Sequence, residues 1–246
     1  MKKTLTLLLL CLFAACSPKN EPITAQSAVD AAIEFHGLER LKDADFSLTF
    51  RDMNYTYQMH KGKYEYTRTQ TDSTGAVIID VLNNNGLVRT IDGNIAELTE
   101  ERNGAFSRSV NSVIYFFRLP FGLNDNAVRK TYNGEVTIKG KSYHEVKVTF
   151  VQEGGGDHFE DQFLYWFDTE DFSMDYMAYL YYTDGGGLRM REAINPRRIN
   201  GVLVQDYINL KPANENVNIE SIREAYNKGD LVELSRIINE NIKIDL

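Results

Sequence analysis

Several clusters in the chain carry residue types that do chemistry. Asp157-His158-Phe159-Glu160-Asp161 follows Gly154-Gly155-Gly156 and gathers carboxylates and an imidazole of the kind that hold a metal ion. Such a site needs a third or fourth ligand in fixed geometry. His36, His60 and His144 could supply one, but no spacing brings them to the cluster, which reads as a polar hairpin loop. A hydrolase or metal enzyme using Asp157, His158 and His144 ranks last among the functional readings. Gly134, Gly140, Lys141 and Ser142 nearly spell a phosphate-binding loop. The glycines are one residue too far apart, Glu135 stands where the first should be, and the flanks read as a hairpin instead of a strand followed by a helix. His144 shares strand parity with Val146, Val148 and Phe150, which makes it a hydrogen-bonded core residue before it is a catalyst. Arg189, Arg191, Arg197 and Arg198 crowd one hairpin and could meet an anionic head group. Leu188 and Met190 occupy the other face of that strand, so a charged outer face is expected for the arginines. No Gly-x-Ser-x-Gly elbow is present. Neither a catalytic residue nor a cofactor nor a resident metal is expected.

Cys16 belongs to a different chemistry. Met1-Lys2-Lys3 begins the chain, Thr4 to Phe13 is almost wholly apolar, and Ala14-Ala15 precedes Cys16-Ser17. A basic start, a short apolar run and small residues before a cut site mark a secretory signal peptide. The run is well short of the ~20 residues that span a bilayer. With Cys16 after the small pair, the segment resembles the lipobox of bacterial lipoproteins, Phe13 standing where leucine is usual. That resemblance implies diacylglycerol on the Cys16 sulfur, cleavage before it and acylation of its amine. Residues 1–15 are then the signal peptide, 16–26 a polar tether, and 27–246 a single folded domain. The expected location is the cell envelope, lipid-anchored, at the outer membrane.

Charge limits the partners. Losing Lys2 and Lys3 from 27 Lys+Arg leaves 25 against 35 Asp+Glu, a formal charge of −10. An acidic chain is a poor partner for nucleic acid, whose phosphates supply most binding affinity. Anionic lipid surfaces would also repel it, so attachment to a membrane falls to the Cys16 anchor. Cys11 and Cys16 are the only cysteines. The expected folded domain therefore has neither disulfide nor reactive thiol.

The elements that must position any site follow from periodicity. Ser27 to Leu41 has a helical rhythm, with Thr24 or Ser27 as cap and Gly37 near its end. From Phe46 the period falls to two, and short strands alternate with turn signals such as Asp92-Gly93 and Asn200-Gly201. The run breaks at 99–125, where Val110, Val113, Ile114 and Phe117 share a helical face before Pro120. Val113 to Phe121 is apolar on nearly every side, so it is buried on more than one side or lines something greasy. Strands then resume, and Ile219 to Asn227 reads as a short helix closed by Gly229. The fold class is mainly β (α+β). A curved antiparallel half-barrel of about ten or more strands carries an N-terminal helix and packs the mid-chain helix on its concave face.

The stretches Ile114 to Asp125 and Gly140 to Phe150, with Ile33-Glu34-Phe35-His36-Gly37 and Ile199-Asn200-Gly201-Val202, resemble an uncharacterised family of lipoproteins from Gram-negative bacteria. The resemblance implies a fold similar to the half-barrel of the periplasmic carrier and outer-membrane receptor of lipoprotein sorting, which hold acyl chains between a curved sheet and covering helices.

Tyrosine-rich strands suit a surface that is apolar with a wet edge. The leading functional reading is a non-enzymatic binding module for a hydrophobic ligand such as an acyl chain. Its expected contacts are Val113, Phe116, Phe117, Phe121, Trp166, Tyr176 and His144. The alternative is a structural or protein-interaction lipoprotein whose envelope partner is unknown.

Overall fold

The structure is a computed structural model that describes residues 22–153 and 159–246. Cys16, most of the tether, and Asp157 and His158 lie outside these residues. Thr24 caps the first helix, α1 (Ala25–His36), and its side chain accepts from the Ser27 amide in a capping box. The helix therefore starts two residues before the expected boundary. Gly37 ends it in the left-handed conformation, at φ 71°. The strands of the first half are β1 (Asp45–Phe50), β2 (Met53–His60), β3 (Lys63–Thr71), β4 (Val77–Asn83), β5 (Gly86–Ile91) and β6 (Asn94–Ile95). After α2 (Glu100–Phe117) come β7 (Val128–Ile138), β8 (Lys141–Phe150), β9 (Gln162–Asp168), β10 (Met174–Tyr181), β11 (Gly187–Ile199) and β12 (Val202–Pro212). The chain closes with α3 (Ile222–Lys228), β13 (Leu231–Ile237) and β14 (Glu240–Asp245).

These strands make a half-barrel of two seven-stranded antiparallel sheets. The first runs β14-β1-β2-β3-β4-β5-β6 and the second β13-β12-β11-β10-β9-β8-β7. The chain crosses between them from β13 to β14, at Asn239. Here the Asn239 amide donates to Asp206, and Arg197 pairs with Asp206 while donating to the Asn239 carbonyl. Across the same junction, the Asn200 side chain donates to the Ile244 carbonyl. The expected single sheet is thus divided, and a charged clamp holds its two parts together.

The main core lies between the sheets, α1 and α2. A second core covers the other face of the second sheet, where Ile222 and Tyr226 of α3 meet Trp166, Leu188 and Met190. This sheet is consequently buried on both faces. In β9, Phe163, Tyr165 and Phe167 face the interior and Leu164 and Trp166 the α3 layer.

Two local features join distant segments. Gly37 lies so close to the β11–β12 turn that a Cβ there would sit 2.4 Å from the Gly201 carbonyl oxygen. The segments around His36-Gly37 and Asn200-Gly201 therefore meet in space. On the first sheet, Asp80 is fully buried between Arg68 and Arg89, with N–O distances of 2.7 Å to each. Burial would raise the Asp80 carboxyl, but hydrogen bonds from Arg89 and Arg68 hold it below the usual range. Arg68 also donates to Ser109 of α2, and the Arg89 guanidinium lies 3.4 Å from the centre of the Phe106 ring. This triad ties α2 to the sheet.

Replacing Asp80 by Asn should lower stability by about 3–5 kcal/mol in denaturant unfolding, because two buried arginines lose their counter-charge. Gly37→Ala should cost at least about 1–2 kcal/mol from the left-handed conformation alone. Its clash with Gly201 adds to that, whereas Gly62→Ala, which meets no atom within 4 Å, should cost less.

Candidate functional site

Helix α2 carries two working faces. Val110 and Ile114 are buried in the core, and the Phe117 ring lies 4.9 Å from that of Phe46 on β1. On the other side, Phe116 lies 5.2 Å from Tyr179 of β10 and Tyr115 lies 6.3 Å from Phe163 of β9. The C-terminal turns of α2 thus touch both sheets, which explains why Val113 to Phe117 is apolar nearly all round. A partly enclosed cavity of about 600 Å³ remains beside this segment. Val113, Phe116 and Phe117 border it from α2, and Phe163, Tyr179 and Tyr207 from the second sheet.

The expected contact residues divide. Val113, Phe116 and Phe117 line the cavity. Phe121 does not; its ring packs 4.9 Å from the Arg118 guanidinium, just beyond the helix. Trp166 and Tyr176 lie on the opposite face of the second sheet, in the core beneath α3. There the Trp166 indole donates to Glu145. Period-two alternation places Trp166 opposite in facing to Tyr165, and here both faces are buried. His144 faces inward with Val146 and Val148, but it hydrogen-bonds Tyr132 at 2.9 Å, stacks on Phe172 and stays outside the cavity wall.

The arginine cluster also departs from expectation. Leu188 and Met190 face the α3 layer, which turns Arg191 toward the interior and not to an outer face. Arg191 is only 8% exposed. Its guanidinium lies 3.7 Å from the centre of the Phe116 ring and 5.2 Å from that of Tyr179, whose hydroxyl it donates to at 3.2 Å. Among the described residues, its Nε has no hydrogen-bond partner and no carboxylate pairs with it. Asn209, opposite Arg191 on β12, also has an unpartnered Oδ1. Ring contacts supply roughly 0.5–2 kcal/mol each, against several kcal/mol for desolvating an ion. The other arginines do structural work. Arg197 holds the inter-sheet clamp, and Arg198 donates to the Phe35 carbonyl at the end of α1.

His36 completes the wall on the α1 side. It is 1% exposed, and its Nε2 accepts from the Met174 amide at 3.0 Å. Burial, helped by Arg198, lowers its pKa to about 4, so the ring is neutral near pH 7. Burial likewise pushes the Tyr115 phenol up to about 12, leaving it a neutral hydroxyl. Among the described residues, no group of three or more His, Cys, Asp and Glu is placed to hold a metal ion.

A β half-barrel with a helix-bordered interior cavity is the class that this geometry defines. The chain belongs to a family of unknown function (DUF6503), whose model matches residues 2–239. Among curated proteins, no sequence matches it. A solved LolA superfamily protein from Nitrosomonas europaea is 13% identical, with 90% of this chain and 94% of that one covered, at a TM-score of 0.46. A domain from Vibrio parahaemolyticus assigned to outer membrane lipoprotein sorting is 6% identical over 89% and 93%, at 0.47. The Mycobacterium tuberculosis lipoprotein LppX is 11% identical over 79% and 98%, at 0.30.

His36 makes stability depend on pH. Its folded pKa lies below the unfolded value of about 6.5, so the unfolded chain binds the extra proton between the two. The stabilisation is complete above about pH 6.5 and is lost as pH falls toward 4. The loss should reach about 3 kcal/mol. Urea unfolding at pH 7 and pH 5 should show a larger drop for the wild type than for His36→Gln.

Proposed function

We propose that this chain is a lipid-anchored envelope protein that binds a hydrophobic ligand, such as an acyl chain, without catalysing a reaction. The observation that carries the reading is the cavity between α2 and the second sheet. At about 600 Å³ it falls within the roughly 300–1,000 Å³ of small-molecule sites. Its rings come from Phe116 and Phe117 on one side and Phe163, Tyr179 and Tyr207 on the other. Aromatic side chains offer a large apolar surface with well-defined rotamers. Val113, Phe116 and Phe117 are the contacts retained from the sequence. Trp166, Tyr176, Phe121 and His144 have no direct role in this reading.

The Cys16 anchor places the domain where acyl chains are abundant. Several chains on one residue hold a protein firmly, since each buried methylene contributes about 0.8 kcal/mol. The outer membrane is the proposed site of attachment, and the charge of the mature chain leaves attachment to the lipid alone. A purely structural lipoprotein would have no need of this cavity.

Native mass spectrometry of the full chain, gently extracted from membranes, is the test. The wild type should carry a non-covalent lipid, and Val113→Trp, which pushes a larger side chain into the cavity, should lose it while keeping its circular dichroism spectrum. A lipid-free wild type, or equal loading of both proteins, would contradict the proposal.

A further inference from the structure

We infer that the ligand of this cavity is an acidic amphiphile, its anionic head on Arg191 and its chain among the surrounding rings. The inference rests on the binding reading above and adds the chemistry of the head group. Three observations carry it. Arg191 is more than nine-tenths buried and lines the cavity. Among the described residues, its Nε makes no hydrogen bond, and its guanidinium donates to the Tyr179 hydroxyl alone. The rings of Phe116 and Tyr179 lie close to the guanidinium, so a chain beside them is within reach of the charge.

Buried Asp80 and Asp206, by contrast, have counter-charges. Asp80 has Arg68 and Arg89, and Asp206 has Arg197. Arg191 has aromatic faces and the Tyr179 hydroxyl, which orient a guanidinium without neutralising it. A guanidinium remains charged at any physiological pH and presents a planar row of donors that suits a carboxylate or phosphate oxygen. An amphiphile with such a head would supply the missing acceptor and fill the apolar part of the wall in the same event. A neutral amphiphile would do only the second. Arg191 sits among rings in a wall that also holds polar side chains such as Arg51, Arg108, Asp125 and Asp161, and a pocket for a plain hydrocarbon gains nothing from a buried guanidinium.

Hexadecanoic acid and 1-hexadecanol, two probes with the same chain, separate the head from the tail. Delipidated wild type and the variants Arg191→Met and Arg191→Lys are titrated with each by isothermal calorimetry. The wild type should bind the acid at least tenfold more tightly than the alcohol. Arg191→Met should bind both about equally, near the wild-type affinity for the alcohol, and Arg191→Lys should keep part of the preference. Adding inorganic phosphate should weaken the acid only modestly, because the chain holds it in place. A wild type that binds acid and alcohol equally, or an Arg191→Met protein that still prefers the acid, would overturn the inference and leave the binding reading standing. Failure of the wild type to bind either probe would remove both. If Arg191→Met does not fold, the wild-type comparison and Arg191→Lys still decide.

Discussion

The packing of α2 between two open sheets is the constraint on which the structure depends. A half-barrel cannot fill its interior from its own strands as a small closed barrel does. Something must be inserted, and here a helix is inserted with Phe117 against Phe46 on one side and Phe116 against Tyr179 on the other. A helix is a cylinder and the concave face is a trough, so contact on both sheets leaves space alongside. The cavity is a consequence of that mismatch, and the residues that wedge the sheets are the ones that line it.

Buried charge fixes where the helix can sit. Asp80 with Arg68 and Arg89 anchors α2 through Ser109 and Phe106 on the first sheet. On the side toward the second sheet, Phe116 packs against Tyr179 and Arg191, and Tyr115 against Phe163. The helix is thus fastened electrostatically on one side and packed against aromatic rings on the other. Fastening on the first sheet keeps the cavity on the side of the second. Asp206, with Arg197 and Asn239, then joins the sheets where β13 passes to β14. Both networks reach the edge of the cavity, through Ser109 and Asn239, while its rings come from other residues.

Much of the frame was legible in the sequence because it is written in local chemistry. Thr24 and Gly37 bound α1, Gly229 ends α3, and Asn200-Gly201 makes the turn that its residue types demand. The all-round apolarity of Val113 to Phe121 signalled a segment buried on more than one side or lining something greasy, and its helical part, which ends at Phe117, packs against both sheets. Facing was the part that could not be read. Alternation assigns Leu188 and Met190 to one face and Arg189 and Arg191 to the other, but names neither as inner. The usual rule that charge points outward fails here because α3 buries the outer face of the second sheet. The same ambiguity put Trp166 and Tyr176 among the contacts. Their period was right, but the face they occupy is set by α3, more than forty residues away in the chain. The division into two sheets likewise has no local signature, and the Asp206 clamp that joins them is a long-range contact.

The proposed ligand chain lies between α2 and the inner face of the second sheet. Intermolecular nuclear Overhauser effects from a 13C-labelled acyl chain bound to the full-length protein test it most directly. Contacts are expected to the Val113 methyls and to the Phe116 and Tyr179 rings, with none to Leu188 or Met190 on the far face. Contacts confined to Leu188, Met190 and the α3 layer would contradict it.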